Sequence, residues 1–468
     1  GCKTTLGVRN NQIIRGNNRD HSGINGEFLC VKGRYAFDFV EHPERLQAPL
    51  MRVNGKLEPV SWSEALGAVA RKFQEVKARG GKFGVIGSNR TSNEENYFLQ
   101  KFAREGLGTA NVDHHRTGDL ATLLDALSGR TGALATAEDL YTSKAVLVVA
   151  NDLAQQHPML SYQNRANCRH HQAHIYTVTP GPVREDHYAA ASVRAAEGEE
   201  LAGIETLREK LRAEPELAIL FGDSIQGDAV RKLVAFGDSL GIPMKYVCLV
   251  DYSNSRGAVD MGLVPDLLPG YHPAPQTGLN CAQMLASEDL DALWVVGANP
   301  LKRGALAAKS AFVVAHEMFL TETAERADVV FPAASAYEKN GTVTNVCGQV
   351  QRLKQAIRVM GTKTDLEILG LLAKEMGLQL GIWLPDKILE EIRESVRGYN
   401  VPLPVIASGG AAQTSPVNGR VASAAAQDAI RSARDTLFTS GSLGRYSKLL
   451  QSLQEAPGAL YSGGDSNR

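Results

Sequence analysis

The feature that most constrains this chain is a series of continuous apolar runs between about residues 82 and 320, each ending in small or polar residues. Because these runs do not alternate apolar and polar residues, they predict strands buried on both faces, in parallel sheets that helices cover. At least seven such units occur, so the sequence predicts an α/β fold with two doubly wound parallel-sheet lobes rather than one. The runs are KFGVIGSN, KAVLVVAND, HIYTVTPG, ELAILFGDS, MKYVCLV, ALWVVGANP and AFVVAHEMF.

Composition divides the rest of the chain into segments. Residues 1–60 are polar and rich in glycine, which predicts a small β-rich segment with tight turns. Ser61 with Glu64 three residues later has the pattern of a capping box that begins a helix. We expect a first lobe at 61–200, a second lobe at 201–320, a return to the first lobe at 321–400, and a linker (408–426), helix (427–455) and tail within 401–468.

Charge and hydropathy exclude several classes of protein. Lys plus Arg number 50 and Asp plus Glu 51, a balance that argues against binding to nucleic acid or to an anionic membrane surface. The longest apolar runs resemble Ala145 to Ala150, far shorter than the ~20 residues of a membrane span, so we expect no direct span. The chain lacks an initiator Met, and we interpret its start as a truncation, a processed end or one piece of a larger protein.

Small and polar residues follow several of the predicted strands. In open parallel sheets ligands bind at the carboxyl ends of strands, where small residues let the backbone approach and Asn or Asp can bond a nucleotide-like group. Turns of this kind also occur in α/β proteins without a ligand there. The GxGxxG and Walker patterns are absent, so NAD binding or ATP hydrolysis has no support. The candidate residues are Ser88, Asn89, Asn151, Asp152, Gly297 and Asn299.

The six cysteines form no CxxC pair and are too sparse for a disulfide framework, which favours a reducing compartment. Cys168, His170, His171 and His174 are the densest group of metal-ligating types, but we expect solvent-facing histidines because no second pair lies nearby. Cys248 and Cys281 are expected to be buried and inert. Cys2 and Cys30 are separated by 27 residues, and composition alone does not distinguish lone thiols from cluster ligands.

Six stretches together resemble the molybdopterin oxidoreductase family, in the order expected for it, from residue 2 to about 375. The resemblance implies the two-lobed fold with a small iron–sulfur-type segment at its N-terminus. The stretches are GINGEFLCVKGRY (23–35), HPERLQAPLMR (42–52), SWSEAL (61–66), SNEENYFLQKFAREGLGTANVDH (92–114), VVGANP (295–300) and FLTETAERADVVFPAASAYEKNGTVTN (319–345).

Within that family the chain resembles the large iron–sulfur (G-type) subunits of bacterial respiratory NADH:quinone oxidoreductase, or complex I. Molybdenum enzymes of formate dehydrogenase type carry Cys or selenocysteine after the stretch that reads NVDH here, whereas this chain has His114, His115 and Arg116. Those enzymes also close over two pterin cofactors with a C-terminal β-domain, but here only a linker and a helix follow residue 400. The phrase at 319–345 is similar to the redox-silent form of the scaffold.

The resemblance gives meaning to the cysteine spacing. It is similar to the second half of CxxCxxxCx27C, which binds a [4Fe–4S] cluster in some bacterial complex I subunits. Cys2 and Cys30 would then be two of four ligands, and the other two would lie three and six residues before Gly1. The chain is therefore expected to be N-terminally incomplete, with a cluster only if upstream cysteines are present. Lys32 matches a lysine that lies between cluster and pterin in the molybdenum enzymes.

The resemblance implies a subunit of the complex I peripheral arm, in which electrons move from NADH toward quinone with proton translocation. This chain would be mainly a scaffold with a possible off-path cluster and a vestigial pterin cleft formed by Lys32 and the strand-end residues. Molybdopterin and catalytic residues are not expected. Partners would be other peripheral-arm subunits, at the cytoplasmic face of the inner (plasma) membrane. The alternative is the catalytic subunit of a molybdenum-dependent formate dehydrogenase or nitrate reductase type of enzyme, with His114 or His115 near the metal.

Overall fold

The computed structural model describes residues 1–416, apart from Asp20, Ser22 and Ile24, and residues 441–455. Most of the expected linker at 408–426 and the first part of the expected helix at 427–455 lie outside these residues, whereas the last part of that helix is described as two short helices. The expected tail also lies outside them. In the part of the chain that the structure describes, none of the helices combines the length and hydropathy that a membrane span requires.

The described strands, in chain order, are β1 (Thr5–Arg9), β2 (Gln12–Asn17), β3 (Leu50–Val53), β4 (Lys56–Pro59), β5 (Phe83–Gly87), β6 (Val112–His114), β7 (Ala145–Val149), β8 (His174–Thr179), β9 (Ala191–Arg194), β10 (Leu217–Phe221), β11 (Met244–Cys248), β12 (Leu267–Leu268), β13 (His272–Pro273), β14 (Ala292–Val296), β15 (Phe312–Glu317), β16 (Val329–Pro332), β17 (Gly341–Thr344), β18 (Gln349–Leu353) and β19 (Ala411–Gln413). All seven apolar runs are strands, as the sequence predicts.

The described α-helices, in chain order, are α1 (Val31–Tyr35), α2 (Trp62–Ala78), α3 (Asn93–Lys101), α4 (Leu120–Ala126), α5 (Ala137–Thr142), α6 (Leu153–Gln156), α7 (Pro158–His171), α8 (Glu200–Glu205), α9 (Arg208–Arg212), α10 (Asp228–Leu240), α11 (Ser255–Asp260), α12 (Cys281–Ala286), α13 (Glu322–Arg326), α14 (Asp365–Glu375), α15 (Pro385–Ser395), α16 (Leu403–Ala407), α17 (Gly441–Tyr446) and α18 (Lys448–Glu455).

Two large sheets organise the chain. The first has the order β4-β3-β16-β15-β14-β5-β6, in which β16 to β6 are parallel and the edge pair β3 and β4 is antiparallel. The second has the order β11-β10-β7-β8-β9 and is wholly parallel. Each sheet carries a separate apolar cluster on each of its two faces. The predicted α/β fold with two doubly wound lobes is therefore confirmed.

The chain enters the second sheet after β6 and returns to the first sheet at β14. The boundary expected near residue 200 falls inside the second sheet, between β9 and β10, and the strands at 292–320 belong to the first sheet. The composition shift there marks α8 and α9, two short helices of the second lobe, rather than a lobe boundary.

Helix α2 begins as its sequence indicates. The Glu64 backbone N–H donates to Ser61 Oγ at 3.2 Å, and the Ser61 backbone N–H donates to the Glu64 carboxylate at 2.9 Å, which completes a capping box. The apolar face of α2, formed by Leu66, Val69, Ala70, Phe73 and Val76, is buried. Phe73 packs edge-on against Trp294 of β14, with ring centres 5.4 Å apart, so this face holds α2 against the first sheet.

Replacing Ser61 with Ala should lower the free energy of unfolding of the first lobe by about 1 kcal/mol, because the Glu64 N–H loses its acceptor at the helix start. The three tryptophans, Trp62, Trp294 and Trp383, all belong to the first lobe, so tryptophan fluorescence during urea unfolding reports on it. The Ser63→Ala variant, at an exposed position of the same helix, is the control and should leave the midpoint unchanged. Equal midpoints for both variants would contradict the role of the cap.

Candidate functional site

A cavity of about 470 Å³ lies where the carboxyl ends of strands from both sheets meet. Its volume is within the range that holds one small ligand, and its place obeys the rule for open parallel sheets. The sequence-based expectation of a site at strand ends therefore has a physical counterpart. Residues that follow the strands and line the cavity are Thr91 after β5, His157 after β7, Asp251 after β11, Gly297 after β14, Met318 after β15 and Ala333 after β16.

The N-terminal segment forms one side of the cavity. Cys2, Cys30 and Lys32 all line it, and Cys30 is the N-cap residue immediately before α1. Cys2 is exposed and Cys30 is half-buried. Desolvation raises the pKa of Cys2, the N-terminal ammonium group lowers it in part, and neighbouring Cys30 raises it further. The structure thus brings together the two cysteines that the sequence singles out.

A [4Fe–4S] cluster takes four thiolates, and Cys2 and Cys30 supply two of them at most. Within the described ranges, no group of three or more His, Cys, Asp or Glu side chains could hold a metal ion. Cys2 and Cys30 therefore fit half of a cluster site, and the described residues do not complete it.

The strand-end candidates differ in whether they line the cavity or are hydrogen-bonded elsewhere in the protein. Gly297 lines the cavity, and Ser88 donates its hydroxyl hydrogen to the Gly297 carbonyl at 2.7 Å. Asn89 instead donates to the His115 carbonyl at 2.8 Å, and Asn299 joins Glu322 to Thr323 through 2.6 Å and 2.8 Å hydrogen bonds.

The remaining two strand-end candidates lie away from the cavity wall as described. Asn151 donates to Gln156, and Asp152 caps α6 by accepting from the Gln155 N–H at 3.1 Å. Lys32 and Gly297 are the two of the seven predicted cleft residues that line the cavity.

A buried ion network forms the floor of the cavity. Lys339 Nζ donates to both carboxylate oxygens of Glu95, at 2.9 and 3.0 Å, and to Asp365 at 3.0 Å. His316 lies on the other side of Asp365, with Nδ1 at 3.1 Å from Oδ1. Burial alone would raise the pKa of Asp365, but Lys339 and then His316 outweigh it and hold that pKa at about 2. Burial alone would lower the pKa of Lys339, but Glu95 and then Asp365 outweigh it and raise that pKa.

A second buried group surrounds Asp260 on α11. Arg256 donates Nε to both oxygens of Asp260, at 2.9 and 3.0 Å, and the hydroxyls of Tyr271 and Tyr399 donate to the same carboxylate. Arg256 also lines the cavity. Its Nη1 atom is buried and has no hydrogen-bond partner among the described residues.

The upper wall carries groups with altered protonation. The Arg90 guanidinium lies over the Tyr252 ring, 4.4 Å from its centre. Burial raises the pKa of Glu317 to about 7, although nearby Arg90 lowers it in part. His157 has its Nε2 atom 3.8 Å from Asp251, and burial lowers the pKa of His157 to about 4. At pH 7 His157 is therefore neutral and Glu317 is only partly ionised.

His114, which ends β6, and His115, which follows it, both bond to other parts of the protein. His114 Nδ1 is 2.6 Å from the Leu263 carbonyl, and burial lowers the pKa of His114 to about 3. The His115 ring lies against Tyr252, with centres 6.4 Å apart. The cavity wall, as far as the structure describes it, includes neither histidine.

The remaining cysteine and histidine predictions are confirmed. Cys248 and Cys281 are buried. His170, His171 and His174 are exposed, and each has a nearby protein partner: the Tyr141 hydroxyl, the Tyr141 carbonyl and Glu214 respectively.

The sequence reasoning missed several residues of the wall, although a signal for some was present. Arg90 directly follows Ser88 and Asn89, Tyr252 follows β11, and Glu317 ends β15, so the same strand-end rule extended by a few residues includes them. Lys339 lies seven residues after β16 and Arg256 eight residues after β11, beyond the strand-end residues that the sequence analysis considered, and no local pattern marks them.

Comparison with known proteins shows the family that this chain matches and the fold that it shares. The family described as molybdopterin oxidoreductase matches residues 45–375. The NADH-quinone oxidoreductase G subunit of Mycobacterium bovis is 28% identical over 438 residues, which cover 84% of this chain and 54% of that protein. The chain therefore spans about half the length of this relative.

Other relatives are about equally similar. The F420-dependent formate dehydrogenase subunit alpha of Methanocaldococcus jannaschii is 26% identical over 492 residues, covering 85% of this chain and 72% of that protein. Among solved structures, acetylene hydratase from Pelobacter acetylenicus superposes with a TM-score of 0.60 at 15% identity, covering 88% of this chain and 73% of that one. At that identity the likeness concerns the fold alone.

Glu317 should make stability depend on pH in a defined window. Its pKa is raised from 4.5 to about 7 in the folded chain, so the unfolded chain ionises first as pH rises. Folding stability is therefore lost between about pH 4.5 and 7, by up to roughly 3 kcal/mol. The Glu317→Gln variant should lose less stability than the native chain between pH 5 and pH 7, as measured by urea unfolding. Glu58→Gln, at an exposed position, is the control, and a native pH slope in Glu317→Gln would contradict the assignment.

Proposed function

The chain belongs to the molybdopterin oxidoreductase family, and from this premise we propose that it is a subunit of the peripheral arm of an NADH:quinone oxidoreductase, complex I. In that assembly, electrons pass from NADH toward quinone with proton translocation. This chain serves mainly as a scaffold, bound to other peripheral-arm subunits at the cytoplasmic face of the inner (plasma) membrane.

The observation that carries this proposal is the position of the residues after β6. The resemblance to molybdenum enzymes of formate dehydrogenase type implies a thiol or selenol metal ligand there. In this chain His114 donates Nδ1–H to the Leu263 carbonyl instead, and the His115 ring lies edge-on to Tyr252. A side chain held in this way does not reach the cavity, which favours a scaffold over a metal-dependent catalyst.

The charges of the cavity floor support the same proposal. Lys339 is already neutralised by Glu95 and Asp365, and Arg256 is bound to Asp260 through Nε. A pterin dinucleotide carries phosphates that need cations and backbone donors. Lys32 and Gly297 line the cavity and suit such a group, whereas Lys339 forms ion pairs with two carboxylates of the protein. The residues therefore fit a pterin only in part.

We assign Cys2 and Cys30 as two of the four ligands of an off-path [4Fe–4S] cluster, with the other two supplied by sequence outside this chain. Such a cluster supplies one-electron redox chemistry. Both cysteines line the same cavity, and hydrogen bonds and burial around a cluster held there would tune its potential.

The alternative is the catalytic subunit of a molybdenum-dependent oxidoreductase of formate dehydrogenase or nitrate reductase type. The formate dehydrogenase relative at 26% identity and the two cleft residues in the wall favour it.

Isolation from the source organism distinguishes these functions. The natural-length protein, tagged at its C-terminus and solubilised from membranes, should copurify with NADH:quinone oxidoreductase activity and contain far less than stoichiometric molybdenum or tungsten. The physical reason is that the scaffold is held by neighbouring subunits and presents no metal ligand after β6. Stoichiometric molybdenum or tungsten, together with formate- or nitrate-dependent dye reduction, would contradict the proposal.

The cluster assignment predicts a specific loss of iron. In the natural-length protein, Cys30→Ser should lower bound iron by about four atoms per chain, because a cluster that lacks one thiolate is not retained. Iron analysis and the electron paramagnetic resonance spectrum of the reduced protein measure the loss. Cys168→Ser is the control, because Cys168 is half-buried on α7 outside the cavity wall. Equal iron in both variants would refute the assignment.

A further inference from the structure

Positive charge is concentrated where the β1–β2 hairpin contacts the segment that follows β18. Residues 1–19 contain four Lys or Arg and no Asp or Glu, and residues 346–364 also contain four Lys or Arg and no Asp or Glu. The chain as a whole has 50 basic and 51 acidic residues, so its charges are otherwise balanced. Two acid-free segments that meet in the fold therefore make a local basic surface on a nearly neutral protein.

The side chain of Asn11 holds the two segments together across 347 positions of the chain. Asn11 Nδ2 donates to the Arg358 carbonyl at 2.7 Å, and the Arg358 backbone N–H donates to Asn11 Oδ1 at 2.9 Å. Asn10 and Asn11 have φ values of +50° and +62°, the left-handed conformation that a two-residue hairpin turn of this kind requires. The turn thus brings Arg9, which ends β1, to the same part of the surface as Arg358.

Burial alternates along both segments. Ile13 and Ile357 are buried in one apolar cluster, whereas Ile14, Arg358 and Met360 are exposed. Ile14 is 59% exposed and Met360 79%, which is unusual for large apolar side chains. The exposed side chains form a surface that we call the basic face, and it consists of Arg9, Ile14, Lys354, Arg358 and Met360.

The cations of the basic face differ from other exposed cations of this chain. Arg130, for example, is paired with Asp238 at 2.6 Å. Arg9, Lys354 and Arg358 have no ion pair within the part of the chain that the structure describes. Like charges that share a surface without interleaved carboxylates repel one another, so a carboxylate brought from outside is attracted by all three.

We propose that the basic face binds an acidic surface of another protein, with Ile14 and Met360 at the apolar centre of the contact and carboxylates of the partner on Arg9 and Arg358. Arginine and methionine are enriched at protein interfaces, and the arginine fork binds a carboxylate through two parallel hydrogen bonds. An anionic membrane fits less well, because the face is a hairpin and a loop rather than an amphipathic helix. The face lies outside the cavity wall, so the proposal is independent of the cluster and of complex I.

Carbodiimide cross-linking tests the proposal in the natural-length protein, purified with its partners from the source organism at low salt. The reagent joins an amine directly to a carboxylate, so mass spectrometry should find Lys354 linked to an Asp or Glu of a different protein. The double variant Arg9→Glu with Arg358→Glu keeps Lys354 and should lower the yield of this cross-link by about tenfold, because attraction becomes repulsion. High salt should lower the yield from the native protein as well, because it screens exposed charges.

The matched control is the double variant Lys210→Glu with Arg212→Glu, which makes the same change of charge at exposed positions of α9. These two cations lie among Glu205, Glu209 and Glu214 in the sequence, so the control should leave the cross-link unchanged. The thermal midpoints of both double variants should stay close to the native value, because all four substituted side chains are exposed.

A further variant, Ile14→Ser with Met360→Ser, leaves every charge in place and should also weaken the cross-link severalfold. It keeps the proposal testable if reversal of charge disturbs the fold. Equal yields from the native protein and from the Arg9→Glu, Arg358→Glu variant would overturn the proposal, and so would a link from Lys354 to its own sequence or no link to another protein. Flotation with phosphatidylglycerol vesicles by the native protein alone would overturn it in favour of a membrane surface.

Discussion

The interaction on which the first lobe depends is the buried contact of Lys339 with Glu95 and Asp365. Glu95 belongs to α3, Asp365 to α14, and Lys339 to the segment before β17, so one ammonium group holds three elements in register. Trp294 donates Nε1–H to His316 Nε2 at 3.1 Å, which leaves the proton of His316 on Nδ1, facing Asp365. The network thereby connects the helices to β14 and β15. Removing either charge would leave its partner buried and uncompensated, a loss of about 3–5 kcal/mol.

Local physics explains which parts of the fold the sequence reveals. A run such as KAVLVVAND is typical of a strand covered on both faces, and Ser61 with Glu64 needs no distant partner to begin a helix. The choice of sheet is different, because β10 and β14 have equally apolar sequences and are buried alike. Which sheet each of these strands joins depends on long-range packing. The boundary expected near residue 200 was based only on a change in surface composition.

The candidate site shows the same division between local and distant information. The strand-end rule locates the cavity, because it follows from the geometry of parallel sheets. The rule does not say which polar side chains are already hydrogen-bonded within the protein, as Asn299 is to Glu322 and Thr323. Lys339 meets Glu95 across 244 positions of the chain, a pairing that no local period encodes. Arg256 likewise becomes notable only when the fold shows that Asp260 binds it through one nitrogen.

These buried pairs also explain why such a cavity persists whether or not a cofactor fills it. Lys339, Arg45 and Arg256 are each tied to carboxylates that have almost no exposure, so a single substitution in any pair is strongly destabilising. The wall therefore tolerates change mainly in its apolar lining, where charge is not involved. The wall of the cavity is at the same time part of the core, because Lys339 and Asp365 line the cavity and also hold α3 and α14 together.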